Sequence, residues 1–234
     1  MLKDFREKRN VMRIACLHTA QSNVAVFDSA AKALGIGPTV LQHEVRADLL
    51  AAAERSGVLT AQVSNATQQA LLSLADHADT VLLTCSTLGP SIEGLAKNTS
   101  SVIIRADEAL ARAAVRANTQ GGKIVVLCAI QTTVEPTSRL FMHAAQASKA
   151  LVEIRLVCGA WARFKSGDLT GYLAAVAEAV DRAYLDGASV VALGQASMSE
   201  AASLVTTSSS PLTSATEGLK AAVEAASRHV KSGS

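Results

Sequence analysis

Four cysteines punctuate the chain, at positions 16, 85, 128 and 158. Cys85 stands apart because of its neighbours. It follows an apolar run at 80–83 and lies within the small polar string Thr84-Cys85-Ser86-Thr87-Leu88-Gly89. A buried strand that turns into a helix leaves free backbone N–H groups and a positive dipole end at the turn. Both favour thiolate over thiol, and the thiolate is the form that attacks carbon or removes a proton. The same N–H groups, with the hydroxyls of Ser86 and Thr87, suit a carboxylate. The chemistry written there is a sulfur base or nucleophile beside a bound carboxylate. A small thiol buried in an ordinary turn is the competing reading. Cys16 and Cys128 read as core residues. No CxxC pair occurs and no histidines cluster at zinc spacing, so free thiols and no metal centre are expected.

Other candidates fall in similar loops. In open parallel sheets, ligands collect beyond the carboxyl ends of the strands. Four such loops can be read, at 18–23, 84–89, 129–133 and 194–199. They offer Gln21, Ser22, Asn23, Thr132, Thr133, Ala196 and Ser197 as further substrate contacts, with simple helix capping as the alternative. His18 titrates near neutrality and can activate Cys85 or serve as an acid. The alternative is a loop histidine in a structural hydrogen bond. His43, His77, His143 and His229 lie in strand or helix segments and read as structural or solvent-facing. Arg105 can pair with a carboxylate, although a solvated surface arginine is the preferred reading. The segment with Cys158, Trp161, Arg163 and Lys165 either covers the cleft or packs at the surface, and surface packing is preferred.

The elements that must position these loops repeat. At an offset of 110 residues, Arg55-Ser56-Gly57-Val58-Leu59-Thr60 aligns with Lys165-Ser166-Gly167-Asp168-Leu169-Thr170. The same offset sets Ile14 on Ile124, Asp76 on Asp186, Val81 on Val191 and Leu83 on Leu193, without a gap. It also sets Cys85 on Gln195. Apolar runs at 11–17, 39–45, 80–83 and 102–104, then at 123–128, 151–157 and 189–193, read as buried strands. Helical spacing of apolar residues marks 64–77 and 173–185. The predicted fold is α/β: two similar doubly wound parallel-sheet domains related by pseudo-twofold symmetry. The first spans 12–118 and carries Cys85. The second spans 119–234 and carries Gln195, and its last helix, near 217–229, is free to cross back to the first. Residues 1–11 form a charged N-terminal arm. Gly121-Gly122 marks the joint. The Ser/Thr-rich stretch 206–216 reads as an ordered loop, with Ser214 or Thr216 as N-cap of the last helix.

Composition excludes several classes. Hydrophobic residues make up 49% of the 234, enough for a large core. Only 3% are aromatic and the net charge of +2 is spread along the chain, so no nucleic-acid or membrane surface is indicated. No apolar run is long enough to span a bilayer and no signal-peptide pattern follows the charged start, which predicts a cytoplasmic protein. No GxGxxG or GxxxxGK[ST] follows a strand, which argues against a nucleotide binder.

Two motifs resemble a known family. Thr84-Cys85-Ser86-Thr87-Leu88-Gly89-Pro90 is similar to the first cysteine motif of the aspartate/glutamate/hydantoin racemase superfamily. Leu193-Gly194-Gln195-Ala196-Ser197-Met198 is similar to its second, and Asp186-Gly187-Ala188-Ser189 to the lead into its last catalytic strand. The resemblance runs from Arg13 onward. It implies two pseudo-symmetric α/β domains with the site between them, no cofactor, and a small carboxylate substrate: an amino acid, a dicarboxylate or a derivative. A homo-oligomer is suggested by the resemblance alone. In the family, one thiolate removes a proton and a second thiol returns one. Here the second position is Gln195, whose amide has no useful acid or base form. The resemblance therefore implies a one-thiol isomerase. Cys85 either adds covalently to the substrate, as in maleate isomerases, or protonates an enolate, as in arylmalonate decarboxylases. His18 is the candidate substitute acid, and Gln195 and Ser197 are candidate oxyanion donors. A small-carboxylate-binding protein without catalysis is the remaining alternative.

Overall fold

Short apolar runs bounded by polar loops form strands, and the longer amphipathic stretches between them form the covering helices. The computed structural model describes residues 12–95, 101–119, 121–148 and 150–232. The expected arm at 1–11 lies outside the described residues, as does the side chain of His229. The first half runs β1 (Ile14–His18), α1 (Ser22–Ala33), β2 (Leu41–Val45), α2 (Ala47–Ser56), α3 (Ala61–Ala75), β3 (Thr80–Leu83), β4 (Val102–Arg105) and α4 (Ala106–Ala117). The second runs β5 (Lys123–Cys128), α5 (Gln131–Ala145), β6 (Leu151–Leu156), α6 (Ala160–Lys165), α7 (Leu169–Leu185), β7 (Ala188–Leu193), β8 (Leu212–Thr213) and α8 (Ser214–Ser232).

Both sheets are parallel and share one topology, β2-β1-β3-β4 and β6-β5-β7-β8. The 110-residue repeat holds at the centre and drifts outward. Ile14 pairs with Thr80, and its mate Ile124 pairs with Val190 at the same offset. Toward one edge, Ile14 faces Leu41 while Ile124 faces Val152, a slip of one residue. Toward the other, Leu82 faces Ile104 while Ala192 faces Leu212, a slip of two. The central pair positions the cleft loops, so the symmetry is kept where the site depends on it. The repeated Ser-Gly turns survive too: Gly57 and Gly167 both have positive φ, 69° and 82°, a conformation that favours glycine.

The faces are covered by exchange. Ala15 and Leu17 of β1 pack under α2 and α3 with Leu49, Ala53, Val63 and Leu71. Ile14 and Cys16, pointing the other way, pack with Phe27 of α1 and with Ala215, Leu219 and Ala222 of α8. Conversely, Leu110, Ala111 and Ala114 of α4 pack on Ile124, Val126, Val190 and Ala192 of the second sheet. Each half's closing helix thus covers the other half's strands.

Two local readings change. A six-residue 3-10 segment, Gly89–Gly94, follows the Cys85 turn, where an α-helix was expected, and a second, Ala196–Leu204, follows Gln195. The last helix begins at Ser214, and the Thr213 hydroxyl accepts the Thr216 N–H at 3.2 Å. Thr213 is thus the capping residue, in place of Ser214 or Thr216. The loop before it is ordered by Asp181, whose carboxylate accepts the N–H groups of Thr206 and Thr207.

Candidate active site

The carboxyl ends of β1, β3, β5 and β7 meet at one cleft of about 390 Å³, counted to its open mouth. The space inside it that a water can enter is only about 40 Å³, far below the roughly 300–1,000 Å³ of drug-sized ligand pockets, which leaves no room for a nucleotide. Its wall includes Thr19, Asn23, Cys85, Thr87, Gln195 and Ser197. Cys85 sits in the turn after β3. The Thr19 hydroxyl and the backbone N–H groups of Leu88 and Thr87 donate toward its sulfur. Burial nevertheless dominates and lifts the thiol above the ordinary cysteine range, and the Asp107 carboxylate pushes it further the same way. The expected lowering fails for a physical reason. The element after the turn is a short 3-10 segment with little dipole to offer, so three donors stand against desolvation and lose. The resting group is a thiol, with the donors that would hold a thiolate already in place.

Gln195 lies in the matching turn after β7. Its Oε1 accepts the backbone N–H of Ala129 and, at 3.2 Å, that of Ile130. Two N–H donors fix which end of the amide is oxygen. The NH2 group is left as a pure donor in a residue that lines the cleft. Gly194, just before it, lies so close to β5 that a Cβ there would meet the Leu127 carbonyl at 2.9 Å. The two halves are joined at this point, because the Ser86 hydroxyl donates to the Gly194 carbonyl at 2.9 Å.

The predicted site residues divide. Cys85, Gln195, Asn23, Ser86, Thr87, Thr133, Ala196 and Ser197 all line the cleft. Gln21 and Ser22 are exposed and lie outside it. Thr132 stands behind Thr87, its hydroxyl 3.4 Å from that of Thr87. The hydroxyls of Ser86 and Thr133 are committed to the carbonyls of Gly194 and Ile130. Asn23 is buried, and its Oδ1 has no partner among the described residues. His18 is fully buried and does not line the cleft. Its Nδ1 lies 2.9 Å from the Thr84 hydroxyl and its Nε2 2.9 Å from His43 Nδ1. Burial first, then His43, pull its pKa down to about 3, so the ring is neutral. Arg105 is buried, against the surface reading, and its guanidinium grips both Asp107 oxygens at 2.9 and 2.8 Å.

Residues from helices complete the wall. Leu50 of α2, Ile130, Trp161 and Phe164 form an apolar side. The Trp161 and Phe164 rings stack at 4.8 Å, so the segment read as surface packing does cover the cleft. Tyr172 of α7, fully buried, places its hydroxyl 2.8 Å from that of Ser197. The helical spacing read in the chain begins at Leu173 and did not include Tyr172, and nothing linked Tyr172 to Ser197. Among the described residues, one set of metal-ligating side chains comes together, Cys16, His18 and His43, behind Thr84 and away from the cleft wall.

The sequence model of the Asp/Glu/hydantoin racemase family matches residues 47–226, and the chain belongs to this family. Solved structures share the fold. An aspartate racemase from Picrophilus torridus superposes with a TM-score of 0.64 at 13% identity, covering 95% of this chain and 94% of that one. A glutamate racemase from Bacillus anthracis gives 0.64 at 12% identity, over 91% and 81%. A glutamate racemase from Thermus thermophilus, in complex with β-chloro-D-alanine, gives 0.58 at 16% identity, over 94% and 82%. At such identities the likeness speaks for the fold, and function has to be argued from the site. No curated protein matches the sequence significantly.

Proposed function

We propose that the protein is an isomerase that acts on a small carboxylate without a cofactor, through a one-thiol reaction at Cys85. One observation carries this reading: among the described residues lining the cleft, Cys85 is the only one with a side chain that titrates. Its symmetry mate is an amide whose oxygen is already bound to the backbone. Gln195 then supplies N–H donors to a carboxylate or developing oxyanion, beside the Ser197 hydroxyl that Tyr172 orients. The unpartnered Asn23 Oδ1 suits a substrate with a donor, such as an α-ammonium group. Family membership supports the substrate class and the absence of a cofactor. His18 is not the second acid in this reading, because it is neutral, buried and behind Thr84.

The raised Cys85 thiol and the apolar wall favour a second reading, decarboxylation. A geminal dicarboxylate with one carboxylate against Trp161, Phe164 and Leu50 is poorly solvated there. Breaking its carbon–carbon bond releases CO2, and the electron pair becomes an enolate held by Gln195 and the turn N–H groups. Cys85 then gives its proton to carbon.

Both readings are tested by incubating the protein with amino acids, dicarboxylates and malonate derivatives in D2O and following the α-carbon by NMR. Isomerisation predicts deuterium exchange or rearrangement without loss of carbon. Decarboxylation predicts CO2 and a deuterated product. Cys85→Ser should abolish either, and turnover that survives this change would end the proposal.

A further inference from the structure

The face of the first sheet beneath α1 carries a group of side chains that the cleft chemistry leaves unused. Cys16 and His18 are two residues apart on β1 and so share a face. The parallel register sets His43 of β2 opposite Cys16. The Cys16 sulfur and a nitrogen of each imidazole all lie within 4.8 Å of one another. His18 Nε2 and His43 Nδ1 face each other at 2.9 Å.

The far side of each ring is also built. His18 Nδ1 lies 2.9 Å from the Thr84 hydroxyl, and His43 Nε2 lies 3.2 Å from an Asp28 oxygen. Metal-bound imidazoles are held this way, with the far N–H given to oxygen and the near lone pair left for the ion. Thr84 has its own acceptor, the Leu17 carbonyl at 2.9 Å, which leaves its oxygen able to accept from His18. In the tautomer in which both far nitrogens donate, the one a metal ion requires, the two facing nitrogens are lone pairs. Lone pairs so close repel unless a cation lies between them, either a shared proton or a metal ion.

The fold itself does not ask for this cluster. In the repeated half, the residue matching Cys16 is Val126, the one matching His18 is Cys128, and the β6 neighbour of Val126 is Ile154. The same place is filled there without a single imidazole.

We propose that Cys16, His18 and His43 form a binding site for a zinc-class divalent ion, with Thr84 and Asp28 as the oxygens that orient the two imidazoles. One thiolate and two imidazoles select such an ion over magnesium or calcium. A tetrahedral zinc site sets its nitrogen and sulfur ligands roughly 3.3–3.6 Å apart. The two imidazole nitrogens, at 2.9 Å, are closer than that span and the sulfur lies within 4.8 Å of both, so a slight parting of the rings and rotation of the Cys16 side chain complete the site. Binding breaks the Cys16 S–H bond and forms a sulfur–metal bond. The proton leaves to solvent, and no oxidation state changes. His43, 15% exposed, and Asp28, 61% exposed, give the ion a way in.

The test is a titration of the chelator-treated full chain with Co2+, then displacement by Zn2+. One ion per chain, a thiolate-to-cobalt charge-transfer band in the near ultraviolet and release of a proton are expected. Cys16→Ser should remove the band, Asp28→Asn should weaken binding by about 10–100-fold and His43→Asn by more, and Cys85→Ser should leave the band in place. No uptake by the wild type, which would leave a shared proton as the cation, overturns the proposal. So does a band that survives Cys16→Ser. The wild-type titration decides by itself if a variant does not fold.

Discussion

The indole Nε1 of Trp161 donates to a carboxylate oxygen of Glu54 at 2.8 Å, tying α6 of the second half to α2 of the first beside the cleft. Trp161 is the only tryptophan in the chain, and it lines the cleft. Intrinsic fluorescence should therefore report ligand binding directly. A bound carboxylate is expected to change the emission saturably, and Glu54→Gln should weaken binding by loosening the wall, raising KM more than it lowers kcat. Emission indifferent to ligands that protect Cys85 would place the ligand elsewhere.

Gln195 separates two roles that one substitution would confuse. Gln195→Glu keeps an acceptor for the Ala129 and Ile130 N–H groups but removes the NH2 donor. Gln195→Ala removes both and leaves buried N–H groups unpaired, a cost of about 1–3 kcal/mol. Turnover should fall by roughly 10²–10³ in both, the scale of losing one oxyanion donor. Thermal stability should fall more in Gln195→Ala. Equal turnover in Gln195→Glu and the wild type would remove the amide from the chemistry.

Thiol reactivity should follow burial and not mere presence. Cys158 is exposed, so a general alkylating agent reaches it first. In a Cys158→Ser background, Cys85 should react ahead of buried Cys16 and Cys128, and a small dicarboxylate should protect it. Because the Cys85 thiol is held above the ordinary range, its rate should keep rising with pH past the point where a free cysteine has levelled off. A plateau below that of a free cysteine would show the turn donors winning over desolvation.

Tyr172 offers an alkaline signature. Burial lifts its phenol from 10.0 to about 12, against the Ser197 hydroxyl. The unfolded chain thus releases this proton first. The stability that goes with the raised value is whole below pH 10 and is lost as pH climbs toward 12, a contribution of at most about 2–3 kcal/mol. Tyr172→Phe should flatten the fall in denaturation midpoint between those limits. An unchanged slope would mean that Tyr172 titrates normally.

Much of this was legible in the chain because parallel strands are written as continuous apolar runs. Thr80–Leu83 and Lys123–Cys128 could be read at both ends, and the repeat fixed their order. The two-residue β8 left no run to see. The Cys85 and Gln195 loops were readable because strand ends in such sheets gather ligands. Gln21 and Ser22 sit exposed at the start of α1, outside the cleft wall, which their place in a strand-end loop did not reveal. Leu50 and Trp161 come from helices, and only tertiary packing brings them to the cleft, as it brings Tyr172 to Ser197. The Cys16, His18 and His43 group was invisible for a similar reason. Its third member is 25 positions from the second along the chain and is brought back by strand register.

The exchange of α4 and α8 sets how this molecule can be taken apart. Each half covers one face of its sheet with its own helices and relies on the other half's closing helix over the opposite face. A chain cut at the Gly121-Gly122 joint would yield two pieces, each with a helix shaped for a sheet it does not contain and a sheet bared on one face. Such fragments would be complementary parts of one object, silent when separate and able to restore the cleft only on meeting. What began as a repeated unit has become a lock and its key on a single thread.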